Sequence, residues 1–236
     1  MKNAFTLIEL LVVIAIIAIL AAMLMPALAK SKQRALQAAD VNNLKEFGVA
    51  MNLVASDNDD RMPWPNWASG ETAETGYPQG WLYKLDPTVT GAAQFKVDTG
   101  LFWTVLNSPK LFFCPIDDTN SALFKLRGQQ ISSYVMNGAV CGYERAQNPP
   151  LKLSQLNPEG IAFWECANNT AAENETLFND GASSPDENTS ARHGSVAIYA
   201  AFDGSAGLMK LSQWATKMNE SNANELWCYP NSPDGR

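Results

Sequence analysis

The sequence predicts an α+β protein in which a long N-terminal helix packs on a small antiparallel sheet, and three observations lead there. Residues 10–29, LLVVIAIIAILAAMLMPALA, carry no charge and no polar stripe. At a rise of about 1.5 Å per residue such a run spans roughly 30 Å, the hydrocarbon thickness of a bilayer. Beyond it, Val41, Leu44, Phe47, Met51 and Val54 recur at three- and four-residue intervals, with Lys45, Glu46 and Asn52 on the other side; this is one face of a helix. The C-terminal half then holds three runs of strand character bounded by turn signals.

A helix from Phe5 to about Ser56 would be roughly 78 Å long. It divides into a membrane half at 5–29 and an amphipathic continuation at 30–56, leaving 57–236 for one globular domain with its own core. Asp57, Asn58, Asp59 and Asp60 end the helix, with Pro63 and Pro65 beyond. Asp57 and Asp59 also mimic the start of an EF-hand, but Met62 and Ala68 stand where that loop needs Gly and Glu, which rejects it. A looser calcium loop and a solvated helix stop both remain open.

The next stretch, to Cys114, is rich in Trp, Pro and Gly, with Trp64, Trp67, Trp81 and Trp103. Short helical pieces are expected near 80–85 and 99–106, with the tryptophans packing over a core or forming a sugar-binding platform. Strands are expected at 131–135, 161–166 and 196–202, the last with Val196, Ile198 and Phe202 on one face. Asn137-Gly138 and Asp203-Gly204 are turn signals, the second leading into a hairpin partner at 207–211. The product is an antiparallel sheet of about four strands. Residues 168–192 are polar and turn-rich and read as an exposed loop.

Composition sets limits. Of 236 residues, 46% are hydrophobic and 17% charged, a balance that excludes a disordered chain. The net charge of −7 argues against nucleic acid as a partner. Cys114, Cys141, Cys166 and Cys228 include no C-x-x-C pair, and His193 is the one histidine; without close ligand pairs a structural zinc site is not expected. Two disulfides and buried free thiols both stay open. No cofactor, metal ligand or catalytic residue is assigned.

The first 26 residues carry the most specific signal. The leader Met1-Lys2-Asn3-Ala4 is short and basic, Glu9 lies just inside the apolar segment, and Pro26 falls late in it. A carboxylate at a helix centre in lipid costs on the order of 2.5–3.5 kcal/mol, less toward an end, so Glu9 calls for a partner. Together these residues resemble the N-terminus of type IV pilins and type II secretion pseudopilins. The resemblance implies a leader at 1–4, cleavage between Ala4 and Phe5 by prepilin peptidase, and N-methylation of Phe5. It also implies pairing of Glu9 with the Phe5 amine of a neighbouring subunit. Ala4 stands where that family usually has Gly. The implied protein is a non-enzymatic filament subunit whose partners are the peptidase, other pilin-like subunits and an inner-membrane assembly platform. It would be anchored once in the inner membrane, with its C-terminal domain in the periplasm until assembly into a filament or at the cell surface. Lys30, Lys32 and Arg34 outnumber Lys2, so the positive-inside rule favours the opposite orientation. The alternatives are a plain signal anchor, a secretory signal cut after Ala29, and a membrane-anchored or secreted binding module using the Trp-rich loops.

A second resemblance rests on His193 with Asp203 and Gly204, an H-x9-DG spacing. With Phe113-Cys114-Pro115-Ile116-Asp117 and Ser133-Tyr134-Val135-Met136-Asn137-Gly138 it is similar to a pilin-like group of planctomycetes and verrucomicrobia. The role of this motif is open. A dyad of His193 and Asp203, with Ser195 as nucleophile, is not expected, because the two flank one strand near its opposite ends. His193 is expected to bond backbone at the strand entry, and Asp203-Gly204 to make a turn.

Overall fold

A computed structural model describes residues 6–67, 79–86, 88–143, 149–167 and 180–236. Ala4 and Phe5 lie outside these. The chain divides into two compact units, Met1–Ala38 and Ala39–Arg236, and the first helix, α1 (Leu7–Asp57), runs from one into the other.

In the first unit α1 begins with a reciprocal cap. Thr6 donates its backbone N–H (2.9 Å) and its hydroxyl (2.8 Å) to the Glu9 carboxylate, and Glu9 N–H donates back to the Thr6 hydroxyl at 3.3 Å. This capping box satisfies two N–H groups that a helix start leaves unpaired. From the first turn onward Ile8, Leu11, Ile14, Ile17, Leu24 and Leu28 are all exposed. The helix continues through Pro26, although proline supplies no N–H to its ladder.

In the second unit the same helix turns amphipathic. Asp40, Leu44, Phe47, Met51 and Val54 are buried along one face. Phe47 is the centre of the core: its ring lies 5.2–5.8 Å from those of Trp81, Phe102, Phe112, Tyr134 and Phe163. The helix stops where Asp60 N–H folds back to Ala55 O at 2.8 Å and Asp59 and Asp60 take positive φ. The Asp60 carboxylate then accepts from the Ser154 hydroxyl and N–H.

Among the described residues two single-turn α-helices follow, α2 (Trp103–Leu106) and α3 (Ala122–Lys125). The sheet has, among the described residues, five strands: β1 (Tyr134–Asn137), β2 (Ile161–Glu165), β3 (Ala182–Ser183), β4 (Val196–Ala201) and β5 (Ala206–Lys210), in the order β3-β1-β2-β4-β5. Helix α4 (Leu211–Met218) closes the set. Phe163 faces α1 through Phe47, whereas its neighbour Trp164 packs on Trp214 of α4 at 5.5 Å. With both faces covered, β1 and β2 are buried at every position and read as continuous runs rather than alternations.

Three expectations need correction. The sheet is mixed, because β3 pairs parallel to β1; it covers an edge that would otherwise expose unpaired backbone. Residues 180–183 are therefore largely buried rather than part of an exposed loop, while 168–179 lie outside the described residues. No helix forms at 80–85. There Asn66 Oδ1 accepts from Leu82 N–H (3.0 Å) and Tyr83 N–H (3.3 Å), and Asn66 Nδ2 donates to Tyr83 O. One amide side chain thus takes the backbone bonds that a helical turn would use. The helical piece near 99–106 forms as a 3-10 turn and α2. Trp81 is fully buried, donating its indole N–H to Pro65 O and Gly181 O, and Trp64, Trp67 and Trp103 are half-buried. All four cysteines are buried thiols.

Candidate functional site

Two places carry function-bearing chemistry: the head of α1 and a buried cluster where α1 meets the sheet. At the head, Glu9 sits one turn into an exposed apolar helix and is engaged by its own Thr6. Among the described residues α1 is the one helix long and apolar enough to cross a membrane.

Five segments build the second place. Asp40 lies on the buried face of α1, Cys114 follows the 3-10 turn Pro109–Phe112, Tyr134 opens β1, Glu165 ends β2, and Arg192 and His193 precede β4. Antiparallel pairing sets Tyr134 directly beside Glu165. His193 Nε2 lies 3.0 Å from Asp40 Oδ2, 3.3 Å from Cys114 Sγ and 3.8 Å from Glu165 Oε2. The other Asp40 oxygen accepts from the Tyr134 hydroxyl, whose oxygen receives Asn43 Nδ2 at 3.4 Å.

A second layer surrounds it. Arg127 binds Asp117 through two nitrogens at 2.7 and 2.9 Å, and the Ser133 hydroxyl donates to the same carboxylate at 2.6 Å. Arg192 bridges Asp117 (3.3 Å) and Glu165 Oε1 (3.4 Å).

The electrostatics follow from this sealing. Burial, and then the charge of Asp40, pushes the Glu165 carboxyl well above the usual range despite Arg192. Burial likewise pushes the Cys114 thiol far up, with Glu165 and Asp40 adding to it. Tyr134 rises from burial and from the Asp40 charge beside it. Asp117 goes the other way: burial would raise it, but the bonds from Arg127, the charge of Arg192 and the Ser133 hydroxyl hold it below the ordinary value.

This arrangement is not a nucleophile–base–orienter relay. Such a relay uses both ring nitrogens of the histidine, one for the nucleophile and one for the acid. Here Asp40 and Cys114 both face Nε2, whereas Nδ1 has no hydrogen-bond partner among the described residues. A thiol pushed upward in a buried site is also a poor nucleophile.

The H-x9-DG residues meet α1 rather than each other. His193, expected to bond backbone at the strand entry, instead reaches the Asp40 carboxylate through Nε2. Asp203 caps the β4–β5 turn by accepting from Ser205 N–H at 2.7 Å, and Gly204 there takes φ +82°. Gly204 lies against Gly48 of α1, so closely that a Cβ on Gly48 would stand 2.7 Å from Gly204 O. Ser195, in the turn between His193 and β4, gives its carbonyl to Leu211 N–H. The two ends of β4 are thus fastened to one helix, at Asp40 and at Gly48.

Sequence reasoning did not single out Asp40, Cys114, Glu165, Asp117 or Arg192 for this site. The signal for two of them was present. Asp40 is an acid on the apolar face that Leu44, Phe47 and Met51 continue, and Glu165 interrupts Ile161-Ala162-Phe163-Trp164.

Residues 1–25 match the family model of the prokaryotic N-terminal methylation motif. The match supports a type IV pilin-like prepilin segment, and such a motif implies processing by prepilin peptidase and assembly with other pilin subunits. No curated protein and no solved structure matches the chain.

Proposed function

We propose that the chain is a structural subunit, a pilin or pseudopilin, of a type IV pilus-like or type II secretion-like filament. One observation carries this reading: a methylation motif at 1–25 heads a helix whose apolar side chains are exposed. Prepilin peptidase cuts between Ala4 and Phe5 and methylates the new amine. Residues 5–29 then cross the inner membrane, residues 30–56 continue the helix, and 57–236 form the exported domain on the periplasmic side. In the filament, Glu9 exchanges its Thr6 contacts for the Phe5 amine of a neighbour, which sets axial register. An unpaired charge left inside an apolar bundle would be costly, so register errors are disfavoured. The H-x9-DG residues serve the domain by fixing β4 on α1.

The test is mass spectrometry of the mature N-terminus from membranes and from sheared filaments. The expected result is an N-methylated Phe5 start that depends on the peptidase. A chain beginning at Lys30, or one retaining Met1, would overturn the reading.

A further inference from the structure

We propose that Asp40, Cys114, Glu165 and His193 form a tetrahedral divalent-metal site that binds α1 to the sheet, with Zn2+ as the ion that fits best. The inference is independent of the filament reading, since all four residues belong to the unit Ala39–Arg236.

Geometry is the first ground. One ligand atom from each of the four side chains lies within 4.8 Å of all the others, and all four residues are buried. Hydrogen bonds link the four in pairs, His193 with Asp40 and Cys114 with Glu165, but they do not require all four ligand atoms to meet at one point. A single N–H on Nε2 serves one acceptor well, and Asp40 Oδ2 at 3.0 Å takes it. Cys114 Sγ and Glu165 Oε2 approach the same nitrogen. Around an ion bound at about 2.0–2.3 Å, tetrahedral ligand atoms stand about 3.3–3.8 Å apart. The distances of 3.3 and 3.8 Å from His193 Nε2 already fit that spacing, and the 3.0 Å contact needs to open by only a few tenths.

The outer contacts are the second ground. Each carboxylate is held on one oxygen and turns the other inward: Tyr134 holds Asp40 Oδ1, and Arg192 lies on Glu165 Oε1. Glu165 is fully buried, and its carboxylate faces Cys114, whose thiol bonds to it, and His193 Nε2, 3.8 Å from Oε2. Ile116 N–H points at Cys114 Sγ at 3.5 Å. Outer partners that orient ligands in this way are a property of built metal sites.

Donor chemistry selects the ion. One sulfur, one imidazole nitrogen and two carboxylate oxygens suit Zn2+, whereas Ca2+ and Mg2+ require six or more oxygens. Binding displaces the Cys114 thiol proton to solvent, transfers the imidazole proton of His193 from Nε2 to Nδ1 so that Nε2 can ligate, and leaves thiolate, two carboxylates and neutral imidazole on the dication. The resulting single negative charge faces Arg192.

The experiment uses the full chain in detergent. Metal content is measured by inductively coupled plasma mass spectrometry, and the chelator-treated chain is titrated with Zn2+ and Co2+. The expected result is about one Zn2+ per chain, a rise in melting temperature on readdition, and a Co2+ spectrum with tetrahedral bands and a sulfur-to-cobalt charge-transfer band. Cys114→Ser should abolish that band, and Glu165→Gln should lower Zn2+ affinity at least tenfold. Cys141→Ser should leave both unchanged. A folded chelator-treated chain that takes up neither ion would overturn the proposal, as would full occupancy in Cys114→Ser. Should the variants fail to fold, uptake by the wild-type chain and the presence of the charge-transfer band decide alone.

Discussion

Gly48→Ala tests the fastening of β4 to α1 through the sign of its effect. Alanine in place of glycine within a helix ordinarily stabilises by about 0.5–1 kcal/mol. At Gly48 the added Cβ would meet three backbone atoms of Gly204, at 2.7, 2.8 and 3.0 Å. None is the tip of a mobile side chain, and the turn is tied by Gly204 N–H to Ala201 O (3.0 Å) and Ala201 N–H to Ser205 O (2.8 Å). Relief therefore requires lifting the hairpin from the helix, an overpacking cost of about 1–3 kcal/mol. Set against the helix gain, a net loss of roughly 1–2 kcal/mol is expected. For a unit the size of Ala39–Arg236 that corresponds to a fall of roughly 2–8 °C in melting temperature. Tryptophan fluorescence of the full chain in detergent is the assay, since all seven tryptophans lie in this unit. Val49→Ala, at a neighbouring exposed position, should change stability by less than about 0.5 kcal/mol. A Gly48→Ala chain as stable as wild type or more so would show that the helix and the turn are not in contact.

Two other outcomes are expected. Asp117→Asn removes the charged two-nitrogen partner of the buried Arg127 guanidinium and should cost about 3–5 kcal/mol near neutral pH. Because Asp117 titrates below its ordinary value when folded, its contribution is complete above the usual carboxylate range and fades as pH falls through the lower folded value; denaturation of wild type and variant across that window should therefore converge in acid. Glu9→Ala should leave the fluorescence-detected stability of Ala39–Arg236 unchanged while abolishing sedimentable filaments, and normal filaments from this variant would refute its pairing role.

The legible part of the structure was whatever a periodic pattern encodes. The face of Leu44, Phe47, Met51 and Val54 predicted the buried side of α1, and Val196 to Phe202 predicted β4. Where one distant side chain decided the outcome, no local pattern existed. Asn66 replaces helical bonds at 82 and 83 from sixteen and seventeen residues away, and the two-residue strand β3 is too short to show a period. The buried cluster was hidden for a related reason. Spacing rules for metal ligands look for close pairs, whereas Asp40 and His193 are separated by 153 positions and meet only because α1 lies across the sheet. Asp40 and Glu165 were nonetheless visible as acids in apolar frames, an anomaly that calls for a partner.

The two fastenings of β4 have a mechanical meaning. Asp40 and Gly48 are separated by about 12 Å of helix, and one joint is polar while the other is steric. A pull along α1 would load both in shear together, instead of peeling one contact after the next. The polar joint resists sliding by its directional bonds, and the glycine joint resists it by interlocked backbone. With the Phe47 packing that lies between the two joints, such a coupling would carry tension from helix to sheet along the whole length of β4.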